Sequence, residues 1–320
     1  MGFAQSLVLW AGQGLILGLD RYPDAEDWIV KVGVIGAGRV GAVLAAALRG
    51  SGHEVVAASG VSSAAKHRIR QLLPGTPNLP ADQVAALADD LLIIAVPDDA
   101  LAGVVNGLAA LHVLKPGQIV AHTSGAHGLA VLQPAVETGA RPLALHPAMT
   151  FTGTKADLGR LNGISFGVTA PEGLREIAGS LVKDLGGTPE WIADENRALY
   201  HAALAHGANH LVTLVNDAAD RLRDAGVVQP EKVLAPLLTA ALQNALAMGD
   251  NALTGPVSRG DAGTVARHID VLEGTPTLTS YLALARRSAD RAIAAGRLRT
   301  TDAEALLDAL ATPVHVEAAK

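Results

Sequence analysis

The chain contains no cysteine, which removes disulfides and thiolate metal sites and fits a cytoplasmic setting. Aromatic residues make up only 3% of the 320 and the formal charge is −6. There are thus few platforms for stacked bases and no positive field for a phosphate backbone, and nucleic-acid binding is disfavoured. A long unbroken hydrophobic run is missing too. The most apolar opening stretch, Phe3–Leu19, is interrupted by Gln5, Ser6, Gln13 and three glycines, and no Lys or Arg precedes it. A signal peptide wants a positive leading region and a spanning helix wants about 20 apolar residues, so residues 1–28 are expected to be an extension with no membrane role. Internal repeats and low-complexity linkers are absent as well.

What remains is a globular composition, 49% apolar and 18% charged, in a chain whose length suits two domains of about 100–200 residues each. Trp28–Ile35 reads as a buried strand that runs into Gly36-Ala37-Gly38-Arg39-Val40-Gly41 and then into the helix-prone Ala42–Leu48. Further strands are expected at Glu54–Ser59, Leu91–Val96, Gln118–His122, Pro142–Leu145, Ile164–Thr169 and Thr188–Ile192, with turns or helices between. After Ala193 strand-like alternation stops and Ala and Leu dominate. Asp194 is placed as the cap of a helix reaching Ala225 before Gly226. A second helix follows Pro230, a third covers Thr277–Ala295, and Thr301-Asp302-Ala303-Glu304 carries the capping-box pattern of the last. The expected fold class is α/β, a doubly wound, mostly parallel Rossmann sheet over 29–193, followed by an all-α domain over 194–320.

Gly36, Gly38 and Gly41 fit the dinucleotide fingerprint. The first allows the tight turn, the second lets a pyrophosphate reach the backbone, and the third lets helix pack on strand, with Arg39 and Val40 opening the helix that faces the phosphates. An acidic residue at the end of the second strand would bind a ribose 2′-hydroxyl, but Ser59-Gly60-Val61-Ser62-Ser63 stands there, with Lys66, His67 and Arg68 beyond. Ser59, Ser62, Ser63 and Arg68 therefore point to NADP rather than NAD, the plainer reading of the cations being a solvated helix face. Val96 and Pro97, closing the third strand, are assigned to the same cofactor crevice.

Ser124 and His146 each follow a strand end, so both should open on the carboxyl edge of the sheet, where they either meet the reacting oxygen and nicotinamide amide or bond within their own loops. The polar cluster Tyr200, His201, His206, Asn209 and His210 interrupts an Ala/Leu-rich helix. At about 100° per residue His201 and Asn209 lie some 80° apart, on one flank. His206 and His210 have the spacing of a metal pair but no third ligand is evident, so no metal is expected. In Gly255–Asp261, Arg259 and Ser258 either bind a substrate carboxylate or serve as a surface charge and a helix cap.

The glycine turn, Thr123–Gly128, Leu145–Phe151, Tyr200–Ala203 and Gly255–Asp261 together resemble Rossmann-type NADP oxidoreductases with a helical C-terminal domain of unknown function. That family is similar to the ketopantoate, pyrroline-5-carboxylate and 3-hydroxyacid reductases. Some members are thought to act as alternative ketopantoate reductases in pantothenate synthesis. Ketopantoate reductases carry a catalytic lysine eight residues before an asparagine. Aligning that asparagine with Asn209 puts His201 at the lysine, a departure in the identity of the acid. Prephenate dehydrogenases place a serine and a His-Pro-Met sequence much as Ser124 and His146-Pro147-Ala148-Met149 stand here.

The resemblance implies NADPH-dependent reduction of a small 2-oxo acid, with ketopantoate the leading candidate. His201 would protonate the alkoxide, Asn209 and Ser124 orient the oxygen, His146 hold the nicotinamide or replace the acid, and Arg259 meet the carboxylate. Imino-acid reduction, hydroxy-acid oxidation and a non-catalytic NADP sensor remain open, because fold does not fix substrate. The apolar C-terminal helices lead to the expectation of a homodimer.

Overall fold

A computed structural model describes residues 29–311, so the expectations for residues 1–28 lie outside it. The chain divides after Gly207 into two compact units. The last strand ends at Trp191, and the division comes later because Arg197 and Tyr200 are tied into the first unit.

The first unit alternates strands with helices: β1 (Lys31–Ile35), α1 (Arg39–Gly50), β2 (Glu54–Ser59), α2 (Ser63–Leu72), α3 (Ala81–Leu87), β3 (Leu91–Ile94), α4 (Asp98–Ala110), β4 (Ile119–His122), α5 (Gln133–Glu137), β5 (Arg141–Pro147), α6 (Ala156–Arg160), β6 (Ser165–Thr169), α7 (Arg175–Asp184) and β7 (Thr188–Trp191). The sheet order is β2-β1-β3-β4-β5-β6-β7. Strands β1 to β5 are parallel, β6 runs antiparallel to β5, and β7 is parallel to β6. All four residues of β3 and of β4 are buried, as a strand covered on both faces requires. Alternate residues feed two cores. Val32, Val34, Leu91 and Ile93 pack with Leu44 and Leu48 of α1, while Ile35, Leu92 and Ile94 pack with Leu101 and Val105 of α4. The order reverses at β1, so the crevice beyond the carboxyl ends of β1 and β3 is the topological switch point where such sheets bind ligands.

All seven expected strands form, with ends displaced by a few residues. The main trim is at β1, where the Val30 amide bonds the His53 ring instead of joining the ladder.

The expected helix from 194 to 225 is present but not uniform. A 3-10 turn at Asp194–Asn196 leads to α8 (Arg197–Leu204), a π-helical turn (Ala205–Asn209) and α9 (His210–Asp224), with Gly226 left-handed just beyond. Asp194 is not its cap: the carboxylate accepts the Leu129 amide at 2.6 Å and closes the 128–129 turn instead. The π turn also changes the winding between His201 and Asn209, so a constant 100° per residue does not relate the two.

The second unit continues with α10 (Pro230–Met248), α11 (Ala262–Leu272), α12 (Thr277–Ala294) and α13 (Thr300–Ala311). Its core is Val265, Leu278, Leu282, Ala289, Leu298, Leu306 and Leu310. At the start of α13, Asp302 pairs with Arg299. No helix among the described residues is long and apolar enough to cross a membrane.

Candidate functional site

The glycine turn is tied to the end of β2: the Gly36 and Ala37 amides both donate to the Ser59 carbonyl, at 3.0 and 2.8 Å. Gly36 sits at φ +86°, and a side chain there would strike the Ala95 carbonyl; one on Gly41 would strike the Gly36 carbonyl. Packing therefore demands these two glycines. Gly38 is different, since an added Cβ would meet nothing closer than the Gly36 oxygen at 3.8 Å. The space it leaves is open to a ligand rather than filled by the protein. Gly38 is also the N-cap of α1 and gives it no side-chain cap, so the amides of Arg39, Val40 and Gly41 have no helical carbonyl and can receive a pyrophosphate. These residues fit a dinucleotide.

Val96 lines the same turn, with its Cγ1 3.0 Å from where a Gly36 Cβ would lie, and Pro97 caps α4. Ser59 is buried and uses its carbonyl on the turn. Ser62 accepts the Ala65 amide at 3.1 Å, so its oxygen caps α2 and only its hydroxyl proton is left for a ligand. Ser63 and Lys66 are exposed and Arg68 is half-buried. Asn78, which the sequence reading passed over, exchanges hydrogen bonds with both backbone groups of Gly60 and fixes the loop after β2.

The carboxyl ends of β4 and β5 lie on the same sheet edge and carry the second half of the site. Ser124 accepts the Ala126 and His127 amides, at 3.2 and 3.1 Å, which is loop bonding, with one hydroxyl proton to spare. His122, wholly buried, accepts the Ser124 amide on Nδ1 and so donates from Nε2 to the Gly128 carbonyl at 3.0 Å. Burial, assisted by the nearby Arg197 charge, lowers its pKa to about 4 and keeps it neutral.

His146 Nδ1 lies 3.0 Å from the Tyr200 hydroxyl, with the rings perpendicular. Its cross-strand partner is Gly167, where any side chain would displace that hydroxyl. Burial raises the Tyr200 pKa, so the phenol keeps its proton, and a backbone hydrogen bond with Gly167 fixes its oxygen. The phenol proton therefore goes to His146 Nδ1, which places the imidazole N–H on Nε2. That edge is the one facing Gly125: a Cβ there would lie 3.0 Å from His146 Nε2 and 2.6 Å from His201 Cδ2. His146 and His201 meet edge to face at 6.0 Å. Burial first, then the Arg197 and His201 charges, lower the His146 pKa to about 4. It is a neutral hydrogen-bond donor at pH 7.

Arg197 organises this region and was missed, because an arginine at the start of a helix reads as a surface charge. It is 1% exposed. Its guanidinium donates to the Ser124, His127 and Gly167 carbonyls at 2.5, 3.0 and 3.0 Å, tying the loop after β4 to β6. Its charge is thus neutralised by carbonyl dipoles rather than by a carboxylate within those bonds, and it stands 5.8 Å from the Tyr200 ring centre.

The remaining expected residues fall in the second unit. Asn209 is exposed and ends the π turn, and Arg259 is exposed. Ser258 is buried and donates to the Gly255 carbonyl at 3.2 Å, while Asp261 caps α11 through the Thr264 amide. Ser258 thus spends its hydroxyl proton on the 255–258 turn.

Among sequence families, residues 18–147 match the Rossmann-like domain and residues 164–288 match the domain of unknown function DUF2520. No curated protein matches. Among solved structures, a Bacteroides fragilis protein provisionally described as an NADP oxidoreductase is 21% identical, with a TM-score of 0.71 over 82% of this chain and 98% of its own. A Thermotoga maritima protein is 19% identical, with a TM-score of 0.62 over 83% and 99%. Pyrroline carboxylate reductase of Plasmodium falciparum, solved with NADP bound, is 12% identical, with a TM-score of 0.55 over 86% and 98%. At these identities the likeness is one of fold. The chain joins a Rossmann-like domain to a C-terminal domain of the DUF2520 family.

Proposed function

We propose that this chain is an NADPH-dependent reductase of a small 2-oxo acid, with ketopantoate as the first substrate to test. The observation that carries the reading is the convergence of His146, held from behind by Tyr200, and His201 on Gly125, on the same sheet edge as the glycine turn. NADPH, when bound, supplies the hydride. His146, neutral and held by Tyr200, donates its Nε2–H to the carbonyl oxygen of the substrate. His201 gives the proton that the developing alkoxide needs, while burial first and the Arg197 charge second keep His146 neutral. Ser124 has one hydroxyl proton for the same oxygen, and the buried Arg197 favours negative charge there. The roles of Asn209 and Arg259 rest on the family resemblance, and Arg259→Ala is expected to raise KM for the acid without changing NADPH affinity.

A panel of 2-oxo acids and cyclic imino acids, followed at the nicotinamide absorbance band, tests the reading. We expect NADPH consumption with a 2-oxo acid. Turnover confined to imino acids supports the alternative suggested by the pyrroline carboxylate reductase fold, and NADPH binding with no turnover supports a sensor. The absence of an acid at the β2 end and the presence of Arg68 lead us to expect NADPH to bind at least about tenfold more tightly than NADH, or about 1.4 kcal/mol. Equal affinities in a fluorescence titration would remove NADP from the proposal.

The second unit gives grounds for a homodimer. Only Pro230 and Leu234 of α10 are buried, whereas Val233, Leu237, Leu242, Leu246 and Met248 are exposed, as are Leu211, Val212 and Leu214 of α9. Apolar surface of that extent calls for a cover, and a second copy supplies it with two-fold symmetry. Light scattering at micromolar concentration should give twice the chain mass of 32.6 kDa; a monomer mass would contradict it.

A further inference from the structure

Gly153 lies in the connection between β5 and α6, outside the residues assigned to the cofactor, and its φ of +78° is left-handed. A Cβ there would stand 2.5 Å from Arg68 Nε, 3.0 Å from Arg68 Cδ and 3.1 Å from Arg39 Cα. The space that glycine leaves is therefore the space in which the Arg68 side chain lies. The turn is held by Asp157, which is fully buried and accepts the Thr152 amide at 2.8 Å, the Gly153 amide at 2.7 Å and the Thr152 hydroxyl at 2.9 Å. Burial alone would raise this carboxyl, but the hydrogen bonds from Gly153 and Thr152 outweigh it and hold the group ionised. Its oxygens are spent on the turn and on Arg160 at 3.5 Å. Among the basic residues of α2, Lys66, His67 and Arg70 are exposed and Arg68 is half-buried.

We propose that Gly153, pinned by Asp157, is a positioning residue for cofactor choice: the 152–154 turn seats Arg68 beside Arg39, where the guanidinium selects a dinucleotide carrying a 2′-phosphate. The inference rests on the NADPH reading above. Arg39 opens the helix that follows the glycine turn, and the adenosine ribose of a dinucleotide lies between that helix and the end of the second strand. A guanidinium recognises phosphate through a planar fork, so its worth depends on orientation and not on charge alone. Gly153 supplies the orientation and Arg68 makes the contact.

Fluorescence titration of NADPH and NADH against the full chain tests this in five proteins: wild type, Arg68→Ala, Gly153→Ala, the double variant Arg68→Ala/Gly153→Ala, and Asp157→Asn. Gly153→Ala and Arg68→Ala should each weaken NADPH by about tenfold and leave NADH unchanged. The double variant should bind NADPH no more weakly than Arg68→Ala, because Gly153 acts through Arg68. Alanine is strained at a positive φ, so Asp157→Asn, which loosens the turn without adding a Cβ, must show the same selective loss if Gly153→Ala fails to fold. Parallel weakening of NADPH and NADH in the folded turn variants would overturn the proposal, as would a double variant much weaker than Arg68→Ala. A wild type that binds neither dinucleotide sinks the NADPH reading instead. Loss of selectivity in Arg68→Ala with full selectivity in the turn variants sinks this inference alone.

Discussion

Replacing His201 by alanine is expected to lower kcat by about 10²–10⁴ fold, or about 3–5 kcal/mol of barrier, and to leave NADPH affinity nearly unchanged. His146 is neutral at pH 7, its pKa lowered to about 4 by burial and by the Arg197 and His201 charges, so it has no ionised form to supply a net proton near neutrality. His201, half-buried and edge-on to it at 6.0 Å, is left as the acid. A general acid is needed only when the alkoxide forms, so its loss falls on kcat rather than on binding. The deficit should shrink as pH falls and solvent supplies protons.

His146→Ala should act differently, raising KM or weakening NADPH while leaving the pH profile in place, because its part is to hold an oxygen or an amide. Tyr200→Phe removes the hydroxyl that fixes the Nε2–H tautomer and should move the same constants as His146→Ala, by about tenfold, the worth of one hydrogen bond. The assignments are reversed if His201→Ala keeps wild-type turnover and His146→Ala abolishes the pH dependence.

The sheet and the glycine turn were legible because short apolar strands and Gly36, Gly38 and Gly41 are local signals. Short runs of Val, Ile, Leu and Ala mark β1 to β5, whereas β7 (Thr-Pro-Glu-Trp) has none, and the sheet order then fixes where the carboxyl ends lie. The loops bearing Ser124 and His146 were legible for the same reason. Arg197 was not, since what makes it informative is burial against the Ser124, His127 and Gly167 carbonyls, and those groups come from segments far apart in the chain. Gly153 and Asp157 escaped for a related reason: one glycine among 34 stands out only when Arg68 is seen lying across it. The winding from His201 to Asn209 is not constant, because Ala205–Asn209 is π-helical, so a helical wheel misplaces Asn209. Asp194 shows the limit of capping rules, because its carboxylate was claimed by the Leu129 amide across a gap of 65 residues.

The same buried imidazoles should make the protein's stability fall steeply in mild acid. His122 and His146 both have pKa values lowered from 6.5 to about 4, so between those limits the folded chain binds fewer protons than the unfolded one. Their contribution is therefore complete above pH 6.5 and is lost as pH falls through the window toward 4. At 1.36 kcal/mol per pKa unit, each contributes up to about 3 kcal/mol, a large share of the ~5–15 kcal/mol that holds most domains folded. The physical causes are burial in both cases, then the Arg197 charge, with the neighbouring His127 adding for His122 and His201 for His146; the Gly128 hydrogen bond opposes the shift at His122, and Asp98 opposes it weakly at both. For His122 a structural consequence follows as well, since a proton on Nδ1 removes the acceptor for the Ser124 amide and frees the loop after β4. Denaturant unfolding followed by circular dichroism at stepped pH should show stability falling by up to about 2.7 kcal/mol per pH unit below 6, two protons' worth. His122→Gln, which keeps a donor for the Gly128 carbonyl and does not titrate, should cut that slope by about half. An unchanged slope in that variant would remove His122 from the acid response, and a flat profile in the wild type would mean that neither imidazole is held neutral by the fold.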